Sequence, residues 1–287
     1  MLQKEEIDQY RGMLFSIAYN MLGMVSDAED MVQETYASWM ESDKSHVKNV
    51  KFYLIRTISN KCISHLRKLK KERVNYIGTW LPEPVQSALD PAEEDPKNRL
   101  SIGFLYLLEK LTPIERAVMI LREAFDLPYT DISEIFKITQ DQCRQYFHRA
   151  KKKLLLEKSR FTVDAGEHEK ILREFLDACL SGNLEKIIGL LRDDVTAYAD
   201  GGGNAPAILM PLSGKSDVVK LLTGSAKRGP AYDKMDFLSI NGLSGAAFYH
   251  QHDGKSPDAL IAIDIGEDAK IANIYYLVNP EKLRHLS

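Results

Sequence analysis

Leu127-Pro-Tyr-Thr-Asp-Ile-Ser-Glu-Ile-Phe-Lys-Ile-Thr-Gln-Asp-Gln-Cys-Arg-Gln-Tyr-Phe-His-Arg-Ala-Lys-Lys-Lys-Leu154 reads as two short helices joined by a tight turn. Apolar residues recur at three- and four-residue spacing, giving each helix a stripe to bury. They are Ile132, Ile135 and Phe136 on the first helix, and Cys143, Phe147, Ala150 and Leu154 on the second. Lys137 and Ile138 form the turn. Thr139 followed three residues later by Gln142 is a capping box, so the second helix starts at a fixed residue. Its first turns then present Gln140, Arg144, Gln145, His148 and Lys151. A basic helix carried this way is the arrangement that enters a DNA major groove. An antiparallel helix pair with a solvated basic face has the same pattern, so the rest of the chain must decide.

The chain has 287 residues and a formal net charge of −3. That length allows about two domains, each with its own core. With no global positive field, contact with nucleic acid has to come from local basic patches. Cys62, Cys143 and Cys179 are far apart, odd in number and set in helical text. They form no disulfide or metal-ligand pattern and read as small buried hydrophobes in a reducing compartment. The N-terminus lacks a signal-peptide pattern and no run of about 18 apolar residues occurs, which predicts a cytoplasmic protein with no membrane partner.

From Ile7 to Lys71 the text is helical. Ser26-Asp-Ala-Glu29 reads as a second capping box, opening a helix that buries Ala28, Met31, Val32, Thr35, Tyr36 and Trp39 and turns Asp27, Asp30, Gln33 and Glu34 outward. The next helix, Val50 to about Arg73, buries Ile55, Ile58, Cys62 and Leu66 and carries Arg56, Lys61, Arg67, Lys68 and Lys71. Cations near a helix C-terminus also arise for dipole reasons alone. Residues 74–100 turn rich in proline and acid and read as a linker, whose Trp80 and Leu81 need a surface to pack on. Thr112-Pro-Ile-Glu115 is a third capping box, opening the helix that leads into the helix-turn-helix. Two more helices follow, Glu167 to Leu180 and Leu184 to Leu191. Apolar segments come next at 195–199, 207–211, 234–240, 246–252, 260–265 and 270–276, interrupted by a helix at 216–226. Helices first and then strands imply an α+β domain.

An acidic helix, a basic helix, a linker and a helix-turn-helix in this order resemble the sigma factors of bacterial RNA polymerase, in the extracytoplasmic-function group. Asp27-Ala-Glu-Asp-Met-Val-Gln-Glu-Thr-Tyr36 is similar to the group's polymerase-binding segment. Tyr53-Leu-Ile-Arg-Thr-Ile-Ser-Asn60 and the basic run after it are similar to the −10 segment, with Ser64 where the group often has aspartate, and Leu127 to Leu154 is similar to the −35 reader. The remainder resembles a SnoaL-like domain of the NTF2-like superfamily, which the SigJ-like subgroup carries at its C-terminus. Three peptides carry that part of the resemblance: Trp80-Leu-Pro-Glu-Pro84, Asp200-Gly-Gly-Gly203 (followed by Asn204 in place of the usual lysine) and Asn279-Pro-Glu-Lys-Leu283.

The resemblance implies two all-α domains, the second with the helix-turn-helix, then an α+β NTF2-like cone with a curved antiparallel sheet. The boundaries are a region-2-type domain at 1–73, the linker at 74–100, a region-4-type domain at 101–160 and the SnoaL-like domain at 161–287. It implies RNA polymerase core as partner, through Asp27, Asp30, Gln33 and Glu34, and promoter DNA. Lys61, Arg67, Lys68 and Lys71 would neutralise phosphates in the −10 region, where Asn60 offers a donor and an acceptor to an unstacked base and Arg56 supports the strand. In the −35 region, arginine at 144 can pair with guanine and glutamine at 145 with adenine, while His148, Arg149 and Lys151 hold phosphates beside Gln140. A regulatory contact is expected between the linker residues Trp80, Leu81 and Pro82, the loop Asp200, Gly201, Gly202 and Gly203, and the terminal Asn279, Pro280 and Leu283.

The function this implies is promoter-specific transcription initiation, modulated by the fused domain, with no cofactor, metal or bond chemistry. Two other classes stay open. One is a DNA-binding regulator that works without polymerase. The other is an isomerase- or cyclase-type enzyme with a DNA-binding appendage, since an NTF2-like pocket can take a small ligand and Tyr198, Asp200, Asp236, Tyr249, His250, His252 and Asp264 supply groups for proton transfer. His250 and His252 share one side of a strand, but the sequence indicates no third metal ligand.

Overall fold

A computed structural model describes residues 7–45, 47–86, 100–155, 164–226, 232–250 and 256–286. The chain divides into two compact units. The first holds Met1–Val74, Ala88–Leu100 and Leu107–Glu157, and the second holds Asn75–Ser87, Ser101–Tyr106 and Lys158–Ser287. His252 and the linker between Gln86 and Leu100 lie outside the described residues.

The first unit is helical: α1 (Arg11–Leu22), α2 (Val25–Glu41), α3 (Val50–Glu72), the last residues of α4 (Ile102–Leu108), then α5 (Pro113–Glu123), α6 (Tyr129–Phe136) and α7 (Gln140–Leu155). Asn49 opens α3 by accepting from the Phe52 N–H, and Thr112 and Glu115 close the full capping box of α5 with proline at its first position. The box expected at Ser26 does not form. The helix begins at Val25 with Met24 in extended conformation, so Ser26 lies inside the first turn where its hydroxyl cannot cap, and Asp27 supplies the favourable charge there. Leu14, Ile17, Leu54, Ile58, Leu66, Val118 and Leu121 are buried. Both helical groups share this unit, with α1 and α3 against α5 and α3 against α6.

Buried charge marks that contact. Gly23, left-handed at φ 74°, ends α1, and the carbonyl of Asn20 accepts from Arg116 Nη2 at 3.1 Å while that of Leu22 accepts from Arg73 Nη2 at 3.0 Å. Glu109 pairs with both guanidiniums. Cations at a helix C-terminus match its dipole. Burial works against the Glu109 carboxylate, yet the two arginines hold its pKa below the usual value.

The second unit contains α8 (Ala165–Ser181), α9 (Leu184–Leu190), β1 (Leu191–Asp200), β2 (Leu212–Ser213), α10 (Lys215–Ala226), β3 (Lys234–Ile240), β4 (Leu243–Tyr249), β5 (Ala259–Ile265), β6 (Ile271–Leu277) and α11 (Pro280–Leu283). One six-stranded sheet runs β2-β1-β6-β5-β4-β3. On its helix side Val195, Ala197, Phe248, Ile263 and Ile274 pack with Ile171, Leu172, Phe175 and Val218. On its other side Leu260, Tyr275 and Leu277 pack with Leu81, Ile102, Leu283 and Leu286. This is a helix-backed sheet, the α+β class that helices followed by strands imply.

Three details differ from the sequence reading. The β1–β6 pair is parallel, whereas every other pairing is antiparallel. The long excursion between those two strands permits it, since a parallel pair needs a crossover and a hairpin cannot make one. Residues 207–211 form no strand; Leu209 and Met210 stand exposed in a loop, and only Leu212–Ser213 pair with β1. The fourth strand starts at Leu243 because Asn241 and Gly242, both at positive φ, make a two-residue turn that pairs Ile240 with Leu243.

Candidate nucleic-acid interface

Lys137, left-handed at φ 53°, ends α6, and the Ile138 N–H closes the turn on the Ser133 carbonyl at 3.0 Å. The Thr139 box then forms as the sequence predicts: Thr139 N–H donates to Gln142 Oε1 at 2.9 Å, and Gln142 N–H to Thr139 Oγ1 at 3.1 Å. Ile132, Ile135, Cys143 and Ala150 are buried between the helices. Gln140, Arg144, Gln145, His148 and Arg149 are exposed on α7, and Lys151, half-buried, lies 3.5 Å from Glu123. Arg144 donates to Asp141 at 2.7 Å and sits 5.6 Å from the Tyr129 ring, whose edge meets Phe147.

In the other half of the unit, Asp30, Gln33 and Glu34 are exposed on α2 and Asp27 is half-buried. Two of these acids face α3: Lys61 Nζ lies 3.0 Å from Glu34, and His65 Nε2 lies 3.4 Å from Asp27. Between the two helices opens a cleft of about 300 Å³ lined by Met31, Glu34, Asn60, Lys61, Ser64, His65 and Lys68. Asn60 is exposed and donates to the Arg56 carbonyl at 2.8 Å and to that of Ile135 at 3.5 Å. Arg67, Lys68 and Lys71 point to solvent, and Arg56 is half-buried.

The second unit gathers the remaining sequence-predicted residues around Asp200, which is fully buried at the end of β1. Its carboxylate accepts from Tyr76 Oη at 2.5 Å, Leu81 N–H at 2.8 Å, Gly202 N–H at 3.1 Å and Lys282 Nζ at 2.7 Å. Lys282 also donates to the Leu81 carbonyl and lies 4.4 Å from the Trp80 ring. Leu81, Pro82 and Pro84 are buried, and Val85 and Asn241 exchange hydrogen bonds at 3.0 and 2.9 Å. Gly202, at φ 61°, has no room for a side chain because Asn279 stands against it. Asn279 caps α11 ahead of Pro280 and donates to Tyr76 Oη, and Leu283 is buried. Tyr76 and Lys282 are absent from the sequence-based set. Lys282 lies inside the quoted Asn279–Leu283 peptide, but no linear pattern marks it as the partner of Asp200.

Among the described residues, Tyr198, Tyr249 and Asp264 of the groups considered for proton transfer lie on the sheet face away from the helices, whereas His250 contacts Tyr232 of the helix-side cluster. Asp236 pairs with Lys234 at 2.5 Å. Among the described residues, no group of three His, Cys, Asp or Glu is placed to hold a metal ion. No helix among them is long and apolar enough to cross a membrane.

A family model described as Sigma-70 region 2 matches residues 7–72, and one described as Sigma-70, region 4 matches residues 103–154. The ECF RNA polymerase sigma factor SigJ of Mycobacterium tuberculosis is 29% identical over 98% of this chain and 93% of its own length. The probable ECF RNA polymerase sigma factor SigI of the same species is 31% identical over 67% of each chain. The crystal structure of the Mycobacterium tuberculosis SigJ superposes with a TM-score of 0.76 at 28% identity, covering 97% of both chains. The region 2 match spans the acidic and basic helices and the region 4 match spans the helix-turn-helix, so the chain belongs to the extracytoplasmic-function RNA polymerase sigma factors and acts in transcription as one of them.

Proposed function

We propose that this sigma factor reads two unlike promoter elements as a single subunit, each through one capped helix. On α3, Lys61, Arg67, Lys68 and Lys71 hold the −10 phosphates, and Asn60, supported by Arg56, meets a base unstacked into the adjoining cleft. On α7, Arg144 and Gln145 read −35 base edges, while Gln140, His148, Arg149 and Lys151 set the register. The observation that supports this most strongly is the exposure of Arg144 and Gln145 in the first two turns of a helix whose start is pinned at Thr139. Asp27, Asp30, Gln33 and Glu34 dock on polymerase core. Because Glu34 and Asp27 also face Lys61 and His65, core binding draws these acids away from the −10 helix.

The C-terminal domain modulates this activity by holding residues 75–86, the stretch of chain that leaves the −10 module. Support comes from the four donors on Asp200, three of which arise from that stretch or from the terminal helix.

Footprinting over a panel of promoters tests the base-reading assignment. Arg144→Ala relaxes preference at one −35 position, losing about 1–3 kcal/mol of discrimination. Lys151→Ala weakens every promoter evenly and lowers the salt slope by about 0.9. Uniform loss in both variants contradicts the assignment.

A further inference from the structure

Asp264, on β5, is 1% exposed, and its carboxyl group meets only neutral partners. Its Oδ2 accepts from Tyr275 Oη at 2.6 Å and from Asn273 Nδ2 at 3.1 Å. Among the described residues, no lysine, arginine or histidine forms an ion pair with it. Among the described residues, the titratable group bonded to it is the Tyr275 phenol on β6, behind which lie Tyr198 on β1, stacked on Tyr275 at 5.3 Å, and Tyr106 on α4, 4.8 Å from Tyr198. On the other side of β5, β4 carries no ionisable side chain except Tyr249.

The lid over this carboxyl is the first turn of α4. Gly103 lies so close that a methyl group added there would stand 2.6 Å from Tyr275 Oη and nearer still to the carboxyl oxygen. Glycine costs about 1 kcal/mol relative to alanine inside a helix, and its use here is explained by that close approach. Ile102 beside it is buried in the same apolar cluster as Leu81, Tyr275 and Leu277. When the turn is seated, water is therefore kept from a carboxyl that has no counter-charge.

We propose that the first turn of α4 is held on the sheet by a protonation-gated latch, with the Asp264 carboxyl as its gate. Protonated, the carboxyl is a neutral group that a close-packed glycine can cover; ionised, it needs water and loosens the turn. Burial pushes the Asp264 pKa up to about 7, with the hydrogen bonds from Tyr275 and Asn273 pulling partly back. With the turn lifted, the group returns toward the ordinary carboxylate value of 3.8. The seated state thus holds its proton more tightly, so seating weakens as pH rises from about 4 to about 7, by up to tenfold per pH unit. Above about 7 both states are ionised and the dependence ends. The gate acts within the chain segment between the two DNA-reading modules, since α4 opens the region 4 match at residue 103.

Hydrogen exchange of the Phe104 to Tyr106 amides in the full-length protein, corrected for intrinsic rates, tests this between pH 5 and 8.5. The wild-type opening constant should rise about fifty-fold from pH 5 to 7 and then flatten. In Asp264→Asn it should stay flat throughout, and in Gly103→Ala it should be raised at every pH. The Ile274 to Leu277 amides, inside the sheet, should not follow. A flat wild-type profile, the same rise in Asp264→Asn, or a parallel rise in the sheet amides overturns the latch. The wild-type profile decides the matter even if a variant fails to fold.

Discussion

Asp200 accepts four hydrogen bonds, and only the one from Lys282 brings a charge. Both side chains of that pair are nearly inaccessible, at 0% and 3% exposed. Removing one partner of such a pair leaves an uncompensated buried ion, which costs about 3–5 kcal/mol. Lys282→Met should therefore lower the denaturation midpoint of the C-terminal unit, and chymotrypsin should cut faster at Tyr76 and Trp80 as their anchor loosens. Lys282→Arg, which keeps the charge, should recover part of the loss. Unchanged cleavage and midpoint in Lys282→Met would mean that the Tyr76, Leu81 and Gly202 donors suffice. The glycines and the tryptophan of this lock were legible in the sequence as a run of three glycines and an apolar peptide in a linker, whereas the aspartate entered only through the resemblance of the Asp200-Gly-Gly-Gly203 peptide. Tyr76 and Lys282 were not legible, since nothing in a linear pattern says which phenol or lysine will be drawn in to satisfy a buried carboxylate.

At the scale of elements, a cap determines what α7 presents. Thr139→Ala removes one side of the capping box and should cost about 1 kcal/mol. Its effect should be local: the first turn frays, so protection of the −35 element in footprints falls while the −10 element stays protected. Equal loss at both elements would place the fault in overall folding. Helices with strong periodicity were readable to within a residue or two, α3 from its apolar stripe and α5 and α7 also from their Thr-x-x-Glu and Thr-x-x-Gln starts. Ser26-x-x-Glu29 misled because the same spelling occurs one residue inside a helix, and only the extended Met24 reveals the true start. Strands were harder to read. Ala207 to Pro211 has strand-like composition but forms no strand, while the Asn241-Gly242 hairpin turn, not singled out in the sequence, is what places β4 at Leu243. The role of Gly103 was invisible, because its reason is a carboxyl group 161 positions later in the chain.

For the whole molecule, the two helical modules lie in one unit, with Asn60 against Ile135 and Arg116 on the carbonyl of Asn20. Promoter elements named −10 and −35 are about 25 base pairs apart, or about 85 Å at about 3.4 Å per pair. A compact unit of this size has a radius of gyration of about 14 Å, so one arrangement cannot serve both elements at once. On the proposed reading the modules part when polymerase core binds, exchanging the Glu109, Arg73 and Arg116 cluster for contacts to core and DNA. The acidic face of α2 and the basic run of α3 are then used together, which the mild net charge of the chain does not reveal. The most direct measurement is run-off transcription from a mixed pool of promoters, using purified bacterial polymerase core at low salt with and without the full-length chain. Discrete transcripts that appear only with the chain, and whose templates share two spaced elements, are predicted. Transcription no greater or no more selective than that of core alone would contradict the account.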